Sequence, residues 1–72
     1  MPSQVFDLRG DHITLDALLK ATGLASSGGH AKVLIAEGQV QVNGEVETRR
    51  GRKLRAGDSV ALGAQHVRIA GA

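Results

Sequence analysis

The chain has 72 residues, of which 42% are hydrophobic and only 1% aromatic, and it contains no cysteine. A chain of this length has room for one small core, which leaves no space for a substrate cleft, and the lack of cysteine excludes a disulfide framework. Nine Lys and Arg against seven Asp and Glu give a net charge of +2, and no stretch approaches the roughly 18 apolar residues that a membrane span requires.

The first predicted elements are a strand and a helix. Residues 4–8 (QVFDL) form a strand candidate, which the turn signal at 10–11 closes. Thr14 can cap the first helix, because its hydroxyl can accept a hydrogen bond from a free amide of the first turn. This helix is expected to end near Thr22, where Gly23 suits a left-handed C-terminal residue.

The second predicted helix begins at Ser26-Ser27 and runs to Glu37. Its buried stripe is expected to be Ala31, Leu34 and Ile35. The pair at 28–29 is open to two interpretations, since two glycines fit either a turn or the start of the helix. The two helices, of about nine and about eleven residues joined by a turn of about three or four, form a pair that is similar to a helix-turn-helix.

A hairpin is predicted after the second helix. Val40 and Val42 alternate with polar residues, and Asn43-Gly44 is a strong signal for a two-residue hairpin turn. A strict two-residue turn would put Val46 on the sheet face opposite Val40 and Val42. We therefore expect one extra loop residue or a bulge, and the register stays open.

The remaining chain contains a turn at 56–58 and two strand candidates at 59–62 and 66–69. The order of elements is a strand, two helices and then several strands. The predicted fold class is α+β, with two short helices packed on a small, mainly antiparallel sheet of four to five strands. No linker or repeat interrupts the chain, so we expect a single domain over residues 1–72.

The charge is distributed unevenly along the chain. Residues 1–47 hold three Lys and Arg against six Asp and Glu, a net −3, whereas residues 48–72 hold six against one, a net +5. Five of these cations lie within residues 48–55, which contain no acidic residue. This run indicates either a site for a polyanion or a solvated basic turn.

Several segments together resemble a known family. They are TLDALLK at 14–20, GLASS at 23–27, HAKVLI at 30–35, EGQVQVNG at 37–44 and Gly57-Asp58. Over about residues 14–62 the chain resembles the RNA-binding domain named after small-subunit ribosomal protein four, also called the αL RNA-binding motif. Within the family, the stand-alone bacterial proteins of the YbcJ type are the most similar, on the strength of IAEGQV and NGEVETR.

The resemblance implies an RNA-binding surface made by the start of the second helix and by the strand and loop that follow it. With the basic run, the candidate residues are Ser26, Ser27, His30, Lys32, Gln39, Arg49, Arg50, Arg52, Lys53 and Arg55. One position departs from the family pattern, because Gly28 stands where an arginine usually follows the serine. We therefore expect the cations at 49–55 to carry more of the binding.

The predicted function is non-catalytic binding of structured RNA, of ribosomal or other stable type. Phe6 is the only aromatic residue and is assigned to the core, so contacts to phosphates and RNA shape are favoured over base stacking. His12, His30 and His66 are too widely spaced for a metal cluster, and no cofactor or small-molecule substrate is expected. Because no signal peptide is recognisable, we expect a cytoplasmic protein, acting as a monomer.

Two other binding functions remain open. A helix-turn-helix DNA reader is disfavoured because Lys32 is the one certain cation of the second helix. A protein-interaction module that docks an acidic partner through the basic run is the main alternative.

Overall fold

The computed structural model describes residues 3–71, which form seven strands and two helices. In chain order they are β1 (Ser3–Leu8), β2 (Ile13–Thr14), α1 (Leu15–Ala21), α2 (Gly28–Ala36), β3 (Val40–Val42), β4 (Glu45–Val46), β5 (Lys53–Leu54), β6 (Ser59–Leu62) and β7 (Gln65–Gly71). This is the predicted α+β fold, with two helices and a mainly antiparallel sheet. Neither helix is long and apolar enough to cross a membrane.

Five strands form one sheet in the order β1-β7-β6-β3-β4. Strand β1 runs parallel to β7, and the other neighbours are antiparallel. The two short strands β2 and β5 pair separately, with Ile13 opposite Leu54 and Thr14 opposite Lys53. This small ribbon was not predicted, because a strand of two residues has no measurable period.

The core is formed by aliphatic side chains from both helices and from the sheet. Its most buried large members are Leu15, Leu18, Leu19, Ile35, Val40, Leu54, Val60, Val67 and Ile69. Ala31 and Ile35 of the predicted stripe are fully buried, whereas Leu34 is half-buried. Phe6 also lies at the edge of the core and is only partly buried, so its assignment to the core holds in part.

Both helices are shorter than expected, at seven and nine residues, and the connection between them is longer, covering residues 22–27. Their ends nevertheless agree with the predicted caps. Thr22 follows the last residue of α1, with Gly23 at a φ of +80°, and Ser27 occupies the N-cap of α2. The glycines at 28–29 are therefore the first residues of the helix and not part of the turn.

The expectation of a bulge in the hairpin was wrong. Gln41 pairs with Val46 and Val42 with Glu45, so the turn is a strict two-residue turn. Asn43 and Gly44 have φ values of +52° and +87°, which a tight hairpin turn of this kind requires. The register leaves the side chain of Val46 57% exposed. The error arose from assuming that Val46 must be buried, whereas a single exposed valine on an edge strand is common.

The turn is held by the side chain of Asn43, which explains its tolerance of a positive φ. The Asn43 Oδ1 accepts a hydrogen bond from the Ser59 amide at 2.9 Å, and its Nδ2 donates to Asp58 Oδ1 at 3.1 Å. Asparagine is thus tied to the start of β6, and glycine is the residue that supplies the second left-handed position.

We expect Gly44→Ala to destabilise the fold by about 1 kcal/mol, because the left-handed conformation is unfavourable for a residue with a Cβ. Gly28→Ala is the matched control, since its φ is not in the left-handed region and an added Cβ would meet no atom within 4 Å. Gly28→Ala should be neutral or stabilising. Urea unfolding of the two variants measures the difference, and equal midpoints would contradict the turn assignment.

Candidate nucleic-acid interface

The basic loop, residues 48–55, is attached to the start of α1 through its backbone. The carbonyl oxygen of Arg52 accepts a hydrogen bond from the Leu15 amide at 2.9 Å, and that of Arg50 accepts from the Asp16 amide at 3.1 Å. The first amides of a helix have no partner within the helix, so these carbonyls complete the hydrogen bonding of α1. The loop is therefore a fixed part of the fold.

This attachment corrects the predicted role of Thr14. Thr14 does occupy the N-cap position of α1, but its hydroxyl accepts no capping hydrogen bond. The hydroxyl donates instead to Asp16 Oδ1 at 2.7 Å. The loop carbonyls supply the acceptors that sequence reasoning had assigned to the threonine.

A buried carboxylate, Glu47, holds two of the loop's arginines. Arg49 donates from Nε to Oε2 at 3.0 Å and from Nη2 to Oε1 at 3.1 Å, and its backbone amide donates to Oε2 at 3.1 Å. Arg52 donates from Nη1 to Oε1 at 2.8 Å. Glu47 is 7% exposed, and its amide donates to the Val40 carbonyl at 3.0 Å. The carboxylate is thus anchored to the sheet and paired twice.

These contacts determine the protonation state of Glu47. The hydrogen bonds from the Arg49 side chain, followed by those from the Arg52 side chain and the Arg49 amide, hold the pKa of Glu47 well below its usual value, against the opposing effect of desolvation. The same pairing raises the pKa of Arg49. Charge-assisted, bidentate pairs of this type have a well-defined geometry. Glu47 is therefore ionised at neutral pH.

The other three cations of the basic loop are free. The side chains of Arg50, Lys53 and Arg55 are exposed and make no hydrogen bond or ion pair with any residue of 3–71. The backbone at Arg55 is nevertheless fixed, because its amide donates to Asp58 Oδ2 at 2.8 Å. This hydrogen bond, with the one from Asn43, lowers the pKa of Asp58.

The basic loop also encloses a concave surface. An open cavity of about 570 Å³ is lined by Arg49, Gly51, Arg52, Lys53 and Arg55. Four of its five lining residues are cations, so the cavity offers N–H donors and positive charge to an anion. No cluster of three or more metal-ligating side chains occurs within residues 3–71.

The candidate residues at the start of α2 form a second, smaller group. Ser27 accepts a hydrogen bond from the His30 amide at 3.1 Å, as an N-cap should. The Ser26 amide donates to Nδ1 of the exposed His30 ring at 3.1 Å. Lys32 is exposed on the same helix. Ser26 and Ser27 therefore both make hydrogen bonds to His30 at the start of the helix, and the side chains of His30 and Lys32 are exposed to solvent.

The ten predicted residues belong to two different parts of the fold. The basic loop contacts the first residues of α1, whereas Ser26 and Ser27 end the connection that leads to α2. Gln39 lies on the side of the basic loop, since it precedes Val40, the backbone partner of Glu47. Its side chain donates to Glu37 Oε1 at 2.7 Å.

A sequence model of the S4 domain matches residues 6–70, which is nearly the whole chain. The chain belongs to the S4 domain family. The match extends beyond residues 14–62, which carry the family pattern, and includes the second half of β1 and nearly all of β7.

Two relatives of this S4 domain are similar over most of their length. "Putative RNA-binding protein YbcJ" of Escherichia coli K12 is 47% identical over 58 residues, which cover 81% of this chain and 83% of YbcJ. "Probable ribosome maturation protein RlbA" of Bacillus subtilis is 48% identical over 50 residues, covering 69% of this chain and 70% of RlbA.

A solved structure has the same fold. The solution structure of YbcJ from E. coli, described as revealing an αL motif involved in RNA binding, superposes with a TM-score of 0.71 at 43% identity. It covers 92% of this chain and 85% of that one. The resemblance to YbcJ-type proteins that the sequence indicated is confirmed.

Glu47 is the residue of this S4 domain that sequence reasoning missed. Glu47 is the last residue of the acidic first part of the chain, and the basic run begins directly after it. A usable signal existed, because residues two apart share a face of an extended chain and Glu47 stands two residues before Arg49. An acidic residue directly beside a basic run is a candidate partner for those cations.

We expect the stability of the protein to fall as the pH is lowered from about 5 to about 2, because the pKa of Glu47 is depressed in the folded state. Its contribution is complete above the pKa that Glu47 has in the unfolded chain, and it declines below that pKa because the unfolded carboxylate then binds a proton that the folded one does not. Asp58 adds to the same trend.

Thermal unfolding of Glu47→Gln tests whether Glu47 causes this pH dependence of stability. The variant should melt at a lower temperature than the parent at pH 7, and the gap should narrow towards pH 2. Glu45→Gln removes the same charge from an exposed side chain that makes no hydrogen bond with residues 3–71, and it should follow the parent. A constant gap between Glu47→Gln and the parent at all pH values would contradict the assignment.

Proposed function

We propose that this S4 domain binds structured RNA without catalysing a reaction, through contacts to phosphates and to the shape of the RNA. One observation carries the proposal: the basic loop presents four cations around a concave surface and is fixed to α1 and to Glu47 by hydrogen bonds. Preorganised cations bind a phosphate backbone at a lower entropic cost than cations on a mobile turn.

The relatives support the same function. YbcJ is named as an RNA-binding protein, and its structure is described through a motif involved in RNA binding. The name of RlbA refers to ribosome maturation, which favours ribosomal RNA as the partner of this chain. We therefore propose a stable, folded RNA of the ribosomal kind, bound in the cytoplasm by a single domain over residues 1–72 acting as a monomer.

The side chains favour folded RNA over single strands. Non-specific binders of single strands stack successive bases on aromatic side chains. The chain has one aromatic residue, Phe6, which is partly buried against the core. Contacts to the phosphates and sugars of a duplex or a folded RNA do not need such a platform.

Within this proposal the basic loop is the primary surface. Arg49, Arg50, Arg52, Lys53 and Arg55 would contact phosphates, and Gln39 lies beside them. Ser26, Ser27, His30 and Lys32 would form a second contact at the start of α2. Because Gly28 provides no guanidinium there, this second contact has less positive charge and should contribute less affinity.

The test compares cations that have the same charge but different positions. Arg50→Gln and Lys53→Gln each remove one cation of the basic loop that makes no internal contact. Arg68→Gln is the matched control. Because Arg68 lies between the buried Val67 and Ile69 on β7, its side chain is on the face of the sheet that points away from the core.

For a labelled RNA stem-loop, we expect each loop variant to weaken binding by roughly five- to tenfold and to reduce the slope of log affinity against log salt by about one. Arg68→Gln should change both quantities much less. The parent should prefer the stem-loop to poly(U) and to a DNA duplex of the same sequence. Equal effects of Arg50→Gln and Arg68→Gln, or a flat salt response of the parent, would exclude the basic loop as the RNA surface.

A further inference from the structure

The pairing of Arg49 and Arg52 with Glu47 leaves most of their N–H groups unused. A guanidinium has five N–H donors, of which Arg49 uses two and Arg52 one in contacts with the carboxylate. The Arg49 side chain remains 73% exposed although it is doubly hydrogen-bonded. Both arginines also line the basic cavity. Each is therefore fixed on one side and open on the other.

We infer that Glu47, Arg49 and Arg52 form a preformed clamp for one backbone phosphate of the RNA, in which Glu47 is a positioning residue. The inference rests on the proposed RNA-binding function and adds a defined role to each residue. The outward N–H groups of the two arginines donate to the phosphate oxygens. Glu47 does not touch the phosphate, but holds the two guanidinium groups at one place on the fold.

A fixed pair of donors has an energetic advantage over two free arginines. Free long side chains lose rotamer freedom when they bind, and this loss weakens the association. In this structure the side chain of Arg49 is already restricted before RNA binds, because it is paired with the Glu47 carboxylate. That carboxylate is nine-tenths buried, and the backbone amide of Glu47 donates a hydrogen bond to the Val40 carbonyl. The planar fork of arginine permits contact with two anions at once, which the ammonium of lysine cannot do with the same geometry.

The inference makes a prediction that opposes simple electrostatics. Removing the charge of Glu47 makes the surface more positive, and a purely electrostatic surface would then bind RNA more tightly. A clamp that has lost its positioning residue binds more weakly instead. The sign of the change therefore separates the two explanations.

The first measurement is the affinity of Glu47→Gln for the labelled RNA stem-loop, with Glu45→Gln as the matched control. Glu47→Gln should weaken binding about tenfold, whereas Glu45→Gln should leave affinity unchanged or slightly increase it. Circular dichroism at the assay temperature establishes that both variants are folded. A merely structural role of Glu47 would lower the melting temperature but leave the affinity of the folded protein unchanged, which would overturn the clamp.

The second measurement conserves charge and does not depend on the stability of Glu47→Gln. Arg49→Lys retains the cation but loses the fork, so binding should weaken about five- to tenfold. Arg68→Lys is its control, because Arg68 is exposed on β7 and lies outside the proposed RNA surface, and its affinity should change less than about twofold. Equal affinities of Arg49→Lys and Arg68→Lys would overturn the clamp.

The outcomes also distinguish the clamp from the proposed function. If the parent fails to bind the stem-loop, RNA binding itself is wrong. If the parent binds and loses affinity on Arg50→Gln, but tolerates Glu47→Gln and Arg49→Lys, then RNA binding stands and the clamp is wrong. Weaker binding by both Glu47→Gln and Arg49→Lys, with their controls unaffected, supports the two inferences together.

Discussion

The pairing of the Glu47 carboxylate with Arg49 and Arg52 is the interaction on which the arrangement of the basic loop depends. Five cations within residues 48–55 repel one another, and no acidic residue lies among them. Glu47 is the one charged residue that is buried within residues 3–71, and it satisfies its charge with arginines of that loop. A buried carboxylate without partners would be strongly unfavourable, so the fold and the arrangement of the loop stabilise each other.

The backbone contributes a second mutual dependence between the basic loop and α1. A helix of seven residues is too short to be stable alone, and its first amides need acceptors. The carbonyls of Arg50 and Arg52 supply them, while Leu15, Leu18 and Leu19 hold the helix against the core. The N-terminus of α1 is thus used to fix the loop and is closed to a ligand. The loop's side chains, which take no part in these backbone contacts, remain available for binding.

Local signals were sufficient to predict the main elements. Glycine after Thr22 and serine at 27 located the ends of the helices, and Asn43-Gly44 located the hairpin. The ribbon of β2 and β5 and the capping of α1 by loop carbonyls were not predictable, because both join residues about 40 positions apart through backbone atoms that carry no sequence pattern. The role of Glu47 was hidden for a related reason. Charge counting along the chain treats an acidic residue as a subtraction from a basic run, whereas in three dimensions it orders that run.

If RNA binds as proposed, the separation of the two candidate contacts would let the domain select RNA by shape. The basic loop is attached to the first residues of α1, the start of α2 comes after the connection that follows α1, and both are fixed by hydrogen bonds. A flexible single strand can bend to reach either contact but gains little from their fixed distance, since it must be ordered on binding. A folded RNA already holds its phosphates at set distances, so it can meet both contacts without that loss. Under the proposed function, the cations of the basic loop would set the strength of binding, and the spacing of the two contacts would set which RNA surfaces can use both.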